Sequence, residues 1–492
     1  MNVNPITRLD YPDPDVIRVE DTYYMVSTTM HFMPGCEILQ SFDLVHWEHV
    51  TYVYETLDHT DAQQLKSGQN IYGQGMWAAS LRYHEGRFCI CFVANDTRKT
   101  YLYTSEKIDG PWKKQLIEGF YHDGSLLFDE DGRNYIVYGN DEIWITELNE
   151  DLTAPKKDGL HRLLVSDHKN PELGYEGAHI QKINGYYYIF LIHSLRDRWM
   201  RTEACFYSDS LEGEFTGGDV LCDDRGYCGQ GVAQGGIVDT PDGKWYAMLF
   251  QDSGAVGRLP ILLPVTWKDH FPFFGQNGHV PEEIEVHSTR PGYIYQPLVG
   301  SDDFCNGLLP RWQFNHDPDP RYYHLDALQG TYTITTREVC TELTQAVNTL
   351  TQRMSYPSCA AEVTVDASAL KEGDVAGLCA LQSCYAAVGI TKHHGKYEVL
   401  MLDKKEDGIL DMTEGTVVES HQMDFRLEAD FCNMKDEARC YYRVNKGDWL
   451  PIGTVHKLYF KLDHFTGCRF GLFCYAAEET GGSACFRDFK YY

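Results

Sequence analysis

The chain has 492 residues, which is enough for two or three domains, and its formal net charge at pH 7 is −29. That charge argues against nucleic acid and anionic membranes as partners, because both bind proteins through clustered Lys and Arg side chains. With 33 Tyr and 23 Phe residues, and 43% hydrophobic residues in total, the composition is typical of a globular protein rich in β structure.

The N-terminal segment, MNVNPITRLDYPDPD, contains acidic residues and no apolar run. We therefore expect neither a signal peptide nor a membrane helix, and a cytoplasmic location. The 16 Cys residues are scattered along the chain without a CxxC pair, and several stand in strand-like runs. In a reducing cytosol this pattern predicts free thiols that are mostly buried, because free Cys behaves as a small hydrophobic residue.

One hairpin pattern recurs five times before residue 300: an apolar strand, a tight turn and a second strand rich in aromatic residues. The copies are DVIRVEDTYYMVS from Asp15, SLRYHEGRFCICF from Ser80, SLLFDEDGRNYIVY from Ser125, HIQKINGYYYIFL from His179 and GIVDTPDGKWYAMLF from Gly236. Asn-Gly and Asp-Gly turns of this kind are strong hairpin signals. Successive turns are 46 to 65 residues apart, about the length of a four-stranded blade. Residues 1–300 are therefore predicted to form a five-bladed β-propeller.

The sequence pattern changes at residue 301. The hairpin pattern ends there, and longer alternating runs follow, such as YYHLDALQGTYTITT and HKLYFKLDHFTGCRFGLFCY. Alternation of this kind is typical of strands with one buried face. Residues 301–492 are therefore predicted to form a β-sandwich, a concanavalin-like jelly roll, so that the whole protein is all-β. Because nothing resembling a flexible linker precedes the sandwich, we expect the two domains to pack rigidly.

Counting back from the five turns identifies one residue of each blade at the same rim. Inner strands of a propeller begin together around the central funnel. The residues eight or nine positions before the turns are Asp13, Trp77, Asp123, Glu176 and Gln234. Glycoside hydrolysis uses such clustered carboxyl groups, one to donate a proton and another to activate water. A calcium site, or solvated residues at the strand starts, are the alternative interpretations.

At these residues the chain resembles glycoside hydrolase family 43, which includes β-xylosidases, α-L-arabinofuranosidases and arabinanases, over essentially its whole length. The segment YPDPDVIRVEDTYYM is similar to the family's opening segment, HDGSLLFDEDGR to the segment that tunes the acid, and YEGAHIQKINGYYY to the segment that supplies it. The resemblance implies that Asp13 is the general base, that Asp123 modulates the pKa of the acid, and that Glu176 is the general acid. It also implies an inverting mechanism without a catalytic cofactor.

The resemblance extends to residues that are expected to touch the sugar. Arg258, in GRLPILLPVTW, matches an arginine that approaches the base and the substrate hydroxyls, and Trp77, in MWAAS, stands at a sugar-contacting position. Met30 and Phe32, in TTMHFMPG, are the expected apolar walls. From the sandwich, we expect Phe465, in HFTGCRFG, to close one side of the pocket at its rim.

Three positions concern metal ions. Gln234, in GVAQGG, stands where many family members carry a His that helps to hold a metal or water at the propeller axis. An amide is a poorer ligand than imidazole, so an axial divalent ion is not expected, and Gln234 is expected to bind substrate hydroxyls instead. Asp303 and Asp488 stand where related sandwich modules supply calcium ligands, which implies a structural Ca²⁺. Ordinary surface aspartates are the alternative.

The C-terminal region resembles the module of the xylosidase and arabinofuranosidase branches, which favours an exo-acting enzyme with a blind pocket. We expect it to release xylose or arabinose from the ends or side chains of xylo- or arabinoxylo-oligosaccharides, with β-xylosidase activity favoured. The alternatives are an α-L-arabinofuranosidase or bifunctional enzyme, a non-catalytic carbohydrate-binding propeller and a sugar phosphorylase. A homo-oligomeric state is left open.

Overall fold

The computed structural model describes residues 2–492, and nearly all of its regular structure is β. Within that part of the chain the helical elements are four one-turn 3₁₀ helices, Lys66–Gly68, Gly254–Val256, Leu343–Gln345 and Cys432–Met434. None of them is long and apolar enough to cross a membrane. The 16 Cys residues are all free and most are buried, in keeping with the prediction of reduced thiols.

The N-terminal part is a propeller of five blades, each a four-stranded antiparallel sheet whose strands follow one another in the chain. From the innermost strand outwards, the blades are Asp15–Val19, Thr22–Val26, Gly35–Ser41 and Glu48–Tyr54; Met76–His84, Arg87–Ala94, Lys99–Ser105 and Lys113–Ile117; Ser125–Phe128, Asn134–Asn140, Glu142–Leu148 and His161–Ser166; Glu176–Ile183, Tyr186–Ser194, Arg201–Ser208 and Thr216–Leu221; Val232–Asp239, Trp245–Asp252, Arg258–Lys268 and Phe271–Phe274. Inner strands of neighbouring blades contact each other, as do those of blades one and five, which closes the ring. The predicted propeller is confirmed.

The predicted hairpins form because their turns adopt left-handed backbone angles. In blade two Glu85 and Gly86 have φ of 48° and 79°, and in blade four Asn184 and Gly185 have φ of 51° and 86°. Primed turns need such angles, which Gly adopts without steric cost, and they suit the twist of the strands that they join. Each inner strand therefore runs away from the rim at which it starts, and the five starts surround one mouth of the propeller.

Polar side chains fill the propeller axis beyond this mouth. The guanidinium of Arg82 donates hydrogen bonds to Asp15 Oδ2 at 2.7 Å and to Ser125 Oγ at 2.7 Å. Nδ1 of His179 lies 3.2 Å from the other oxygen of Asp15. Because these four residues come from the inner strands of blades one to four, their bonds hold the strand starts in a fixed arrangement.

The C-terminal part is the predicted β-sandwich, built from two antiparallel sheets. One sheet has the spatial order Leu410–Met412, Lys396–Lys404, Ala386–His393, Asp374–Leu381, Arg469–Ala476, Leu350–Arg353 and Gln313–Asn315, with Thr416–Val418 also paired to Lys396–Lys404. The other has the order Tyr323–Asp326, Thr331–Thr335, Ser483–Tyr491, Ser358–Asp366, Gln422–Asp430, Glu437–Val444 and Leu450–Lys457. The facing sides of the two sheets enclose one large apolar core.

The two parts of the chain share main-chain hydrogen bonds. The short strand Phe32–Met33, which follows the second strand of blade one, pairs antiparallel with Gln313–Asn315 and forms the edge of the first sandwich sheet. A buried ion pair also crosses the interface, with Nη1 of Arg353 2.8 Å from Oε2 of Glu37. A second short pair, Asn2–Val3 with Glu283–Ile284, ties the start of the chain to the segment after blade five.

Candidate active site

The five residues selected by counting from the turns surround the mouth of the propeller. Asp13 and Asp123 each stand two residues before an inner strand, Glu176 begins one, and Trp77 and Gln234 are the second and third residues of theirs. Asp13, Asp123 and Gln234 have φ of 52°, 48° and 61°. Residues other than Gly adopt this left-handed conformation at a cost, and such residues cluster at functional sites.

Asp13 is held through both of its carboxylate oxygens. Arg258 donates a hydrogen bond from Nη1 to Oδ1 at 2.9 Å, and Thr28 donates one from Oγ1 to Oδ2 at 2.6 Å. All three side chains are buried. The carboxylate of Asp10 in turn accepts a bond from the backbone N–H of Arg258 at 2.8 Å. Charge-assisted bonds of this kind fix the direction of the Asp13 carboxylate.

Asp123 and Glu176 form a second set of carboxyl groups, held by different donors. Oδ2 of Asp123 accepts a bond from the backbone N–H that follows Glu176, at 3.1 Å, and Oε2 of Glu176 accepts one from Nδ2 of Asn140 at 2.8 Å. Asp123 is buried, whereas Glu176 is half-buried. Burial, together with the neighbouring carboxyl groups, raises the pKa of Asp123 to about 6 in spite of the opposing charge of His122.

His122 lies between these two carboxyl groups, with Nε2 3.6 Å from Oδ2 of Asp123 and 3.6 Å from Oε2 of Glu176. The charge of Asp123 raises the pKa of His122 to about 9, although burial opposes the shift. The three side chains offer ligand atoms within 4.8 Å of one another, a spacing that would suit a metal ion. With its pKa raised in this way, the imidazole of His122 favours its cationic form, which is a counter-ion for the two carboxyl groups.

Sequence reasoning missed His122 and Asn140. His122 directly precedes Asp123 in the segment HDGS, so its place in the chain was a usable signal for a neighbour of the mouth. Asn140 ends the second strand of blade three and reaches Glu176 on blade four. That contact depends on how two blades pack, and no short-range pattern indicates it.

The sandwich contributes Phe465 to the mouth. The centroid of its ring lies 5.6 Å from that of Trp77 and 4.3 Å from the guanidinium of Arg258, and its carbonyl oxygen accepts a bond from Arg258 Nη2 at 3.5 Å. Asp10 anchors the loop, because the oxygen that does not bind Arg258 accepts a bond from the N–H of Gly467 at 2.8 Å. The structure thus brings Phe465, Trp77 and Arg258 together.

The two predicted apolar walls are almost completely enclosed, with 1% of Met30 and 0% of Phe32 exposed. Phe32 lies in the edge strand of the sandwich sheet, and the guanidinium of Arg469 lies 3.4 Å from the centroid of its ring. The expected contact of Phe32 with the sugar is therefore wrong, because the interface between the two parts covers it. Met30 pairs through its backbone with Met76, the neighbour of Trp77, and its contact with the sugar stays a prediction.

Gln234 is fixed at the mouth by its main chain. Its N–H donates a bond to Oε2 of Glu203 at 2.7 Å, and burial raises the pKa of Glu203 well above its ordinary value. The side chain of Gln234 packs against Gly177, where an added Cβ would lie 2.7 Å from Cγ of Gln234. Gln234 thus contacts the residue that follows Glu176, and its binding to substrate hydroxyls stays a prediction.

The two predicted calcium ligands, Asp303 and Asp488, line one depression on the sandwich surface. Both side chains are exposed, and Oδ1 of Asp303 accepts a bond from the N–H of Cys305 at 3.0 Å. Within residues 2–492, neither belongs to a group of three or more His, Cys, Asp or Glu side chains with metal-like spacing. Asp302 and Asn306 line the same depression, and the calcium site stays a prediction.

Comparison with known proteins finds matches for both parts of the chain. Residues 3–272 match the family described as Glycosyl hydrolases family 43, and residues 301–492 match the Beta xylosidase C-terminal Concanavalin A-like domain. A β-xylosidase of Formosa agariphila is 26% identical, with 98% of this chain and 88% of the relative covered. A non-reducing end α-L-arabinofuranosidase of Bacteroides ovatus is 24% identical, with 83% and 79% covered.

Among solved structures, a bifunctional GH43-CE protein of Bacteroides eggerthii superimposes with a TM-score of 0.93 at 41% sequence identity. The superposition covers 100% of the present chain but 63% of the Bacteroides eggerthii chain. The present chain thus spans less than two thirds of that bifunctional protein.

Proposed function

We propose, from the premise that the chain belongs to glycosyl hydrolases family 43, that it is an exo-acting, inverting β-xylosidase. The chain is a glycosidase, and its proposed substrates are xylo- and arabinoxylo-oligosaccharides, from whose ends it removes xylose. The observation that carries the proposal is the division of the mouth, where Asp13 is bound to an arginine and a hydroxyl while Asp123 and Glu176 form a separate pair. A base and an acid in different surroundings are what a single displacement by water requires.

In the proposed mechanism Asp13 takes a proton from the attacking water, and Glu176 gives a proton to the departing glycosidic oxygen. Because the water attacks the face opposite the leaving group, the anomeric configuration inverts in one step. Arg258 keeps the base aimed through its hydrogen bond to Asp13. Asp123, whose pKa is raised to about 6, is negatively charged above that pH, and its charge then helps Glu176 to keep a proton.

The proposed exo action is supported by the wall that the sandwich adds. Phe465 meets Trp77 and Arg258 beside the carboxyl groups, on a loop that Asp10 anchors. A wall on one side of the mouth leaves room for a terminal sugar and its leaving group rather than for a continuous polysaccharide. The second candidate is α-L-arabinofuranosidase activity, which the similarity to the Bacteroides ovatus relative favours.

Paired assays with 4-nitrophenyl β-D-xyloside and 4-nitrophenyl α-L-arabinofuranoside test the proposal. We expect a higher kcat/KM on the xyloside, and the reverse order would make the second candidate correct. A folded protein that binds pentose oligosaccharides but hydrolyses neither compound would be a carbohydrate-binding propeller. Proton NMR of the first product should give α-xylose, and initial release of β-xylose would contradict inversion.

A further inference from the structure

A histidine that this mechanism does not use stands at the centre of the acid pair. Nε2 of His122 is 3.6 Å from one oxygen of Asp123 and 3.6 Å from one oxygen of Glu176. The atom is buried and has no hydrogen-bond partner among the described residues. Both separations are longer than a hydrogen bond but within the range of an ion pair. The ring therefore points at the gap between the two carboxyl groups and is hydrogen-bonded to neither.

Three acidic side chains act on His122. Asp123 follows it in the chain, Glu176 comes from blade four and Asp13 from blade one, and their charges raise the pKa of His122 to about 9 against the effect of burial. From blade two, the uncharged ring of Trp77 packs at a centroid distance of 5.7 Å. This raised pKa favours the cationic form of the imidazole in the neutral range.

A cation in this position has two physical effects on the acid. It attracts both carboxyl groups, and so restrains Glu176, which is otherwise bound through the exposed side chain of Asn140. It also favours the ionised forms of the pair, and so opposes the retention of a proton. Asp123 has the opposite influence on that proton, because like charges disfavour each other's ionisation.

We propose that His122 is a positioning residue of this enzyme: as an imidazolium ion between Asp123 and Glu176, it aims the acid and limits the pH range over which Glu176 delivers its proton. The proposal rests on the proposed function, because it takes Glu176 as the general acid. Its two effects are separable. A neutral side chain with a hydrogen-bond donor retains part of the aiming, whereas only a cation limits the pH range.

The pH dependence of kcat/KM, measured on the full chain with EDTA in every buffer, tests this proposal. The substrate needs a leaving group that requires protonation, such as the sugar of xylobiose or of an arabinoxylo-oligosaccharide. In His122→Gln the cation is lost and the pair becomes harder to ionise, so the alkaline limb moves to higher pH by roughly one unit, the usual scale for a nearby opposite charge. His122→Phe also lacks a hydrogen-bond donor at this position. Its alkaline limb should therefore move by a similar amount, and its kcat/KM at the optimum should fall below that of His122→Gln.

A matched control is His46→Gln, because Nδ1 of His46 lies 2.8 Å from Oδ2 of Asp43 in a turn at the opposite rim of blade one. This control should leave both limbs in place. An alkaline limb that is unmoved, or moved to lower pH, in folded His122→Gln overturns the proposal. So does an NMR titration of ¹³C-labelled histidines in which the His122 ring of the unmodified protein is neutral at pH 7, a measurement that does not depend on the variants folding.

Failure of the proposed function has a different signature. In that case the unmodified protein hydrolyses neither nitrophenyl pentoside, whatever the titration of His122 gives. If the protein hydrolyses a different glycoside, the shift of the alkaline limb in His122→Gln is measured on that substrate and decides the role of His122 independently.

Discussion

The ring of Phe465, from the sandwich, lies 5.6 Å from the ring of Trp77, from the propeller, measured between centroids. Two parts of the chain thus meet at the mouth that holds the carboxyl groups, and the apolar core of the sandwich also includes Ala255, Val256 and Leu259 of the propeller. Arg258, which binds Asp13, also packs its guanidinium against Phe465. The sandwich is therefore a structural component of the site.

We expect Phe465→Ala to lower kcat/KM on an aryl pentoside about tenfold or more. The change removes one wall of the mouth and the stacking partner of Arg258, and a buried cation–π contact contributes about 2 kcal/mol. Leu462→Ala is the matched control, because Leu462 lies in the same loop with 75% of its surface exposed. Equal rates for the two variants would contradict the role of Phe465.

Removal of residues 301–492 should give insoluble or inactive protein. The deletion uncovers Phe32 and Met33, whose backbone groups pair with the sandwich, and leaves Arg258 without Phe465. Solubility, size-exclusion profile and kcat/KM of the remaining propeller measure the effect. The full chain, expressed and assayed in parallel, is the control. A soluble propeller with full activity would refute the expectation.

The acid and the base should be distinguishable by leaving group. Glu176→Ala should lose much more rate on xylobiose than on 4-nitrophenyl β-D-xyloside, because a nitrophenolate departs without a proton. Azide should partly rescue the aryl reaction by occupying the vacated space. Asp13→Ala should lose rate by a similar factor on both substrates, on the order of 10³, since each needs an activated water. If Asp13→Ala were the leaving-group-sensitive variant, the two roles would have to be exchanged.

Removing only one partner of the ion pair between Arg353 and Glu37 should destabilise the protein. Burial alone would raise the pKa of Glu37, but Arg353 and His49 lower it to about 2, so the carboxylate stays charged. We expect Arg353→Met to reduce the free energy of unfolding in urea by about 3–5 kcal/mol, because it leaves that buried charge without its arginine partner. The double variant with Glu37→Gln should recover much of the loss. A double variant no more stable than Arg353→Met would argue against this explanation.

Three buried histidines at the interface should make the protein sensitive to acid. The ring centroid of His31 lies 4.9 Å from that of His316 and 5.0 Å from that of His464. Burial lowers the pKa of His316 and of His464 to about 3, and that of His31 well below its ordinary value. As the pH falls from about 6.5 towards 3, the unfolded chain therefore binds protons that the folded state does not.

As the pH falls through that window, each of these histidines should lower the free energy of unfolding by about 1.4 kcal/mol per pH unit. Their contribution to stability is complete above about pH 6.5. Urea unfolding at several pH values between 7 and 4.5 measures the slope, and His464→Gln should reduce it. An unchanged slope in His464→Gln would show that the acid sensitivity arises elsewhere.

The sequence predicted those features of the fold that local signals determine. A turn such as Glu85-Gly86 specifies its hairpin within a few residues, and five such hairpins at blade spacing define the propeller. Counting from the turns reached the mouth because every blade repeats the same register. The repeated register is why the sequence alone identified Asp13 and Asp123.

Contacts between distant parts of the chain could not be predicted from the sequence. The residue that binds Glu176, Asn140, belongs to the neighbouring blade, and the residue that covers Phe32, Arg469, belongs to the sandwich. The sequence pattern of TTMHFMPG indicates an apolar segment, but it does not indicate which surface that segment packs against. Phe32 was therefore assigned to the sugar when it belongs to the interface.

The edge strand Phe32–Met33 has a consequence for the order of folding. Its partner, Gln313–Asn315, follows the whole propeller in the chain, so the sheet closes only after the last blade has been synthesised. Closing so long a loop costs chain entropy before the contact forms, which makes such pairings late and slow. Until then the growing chain carries an unpaired strand edge, and at high concentration that edge is the place where two unfinished chains would pair with each other.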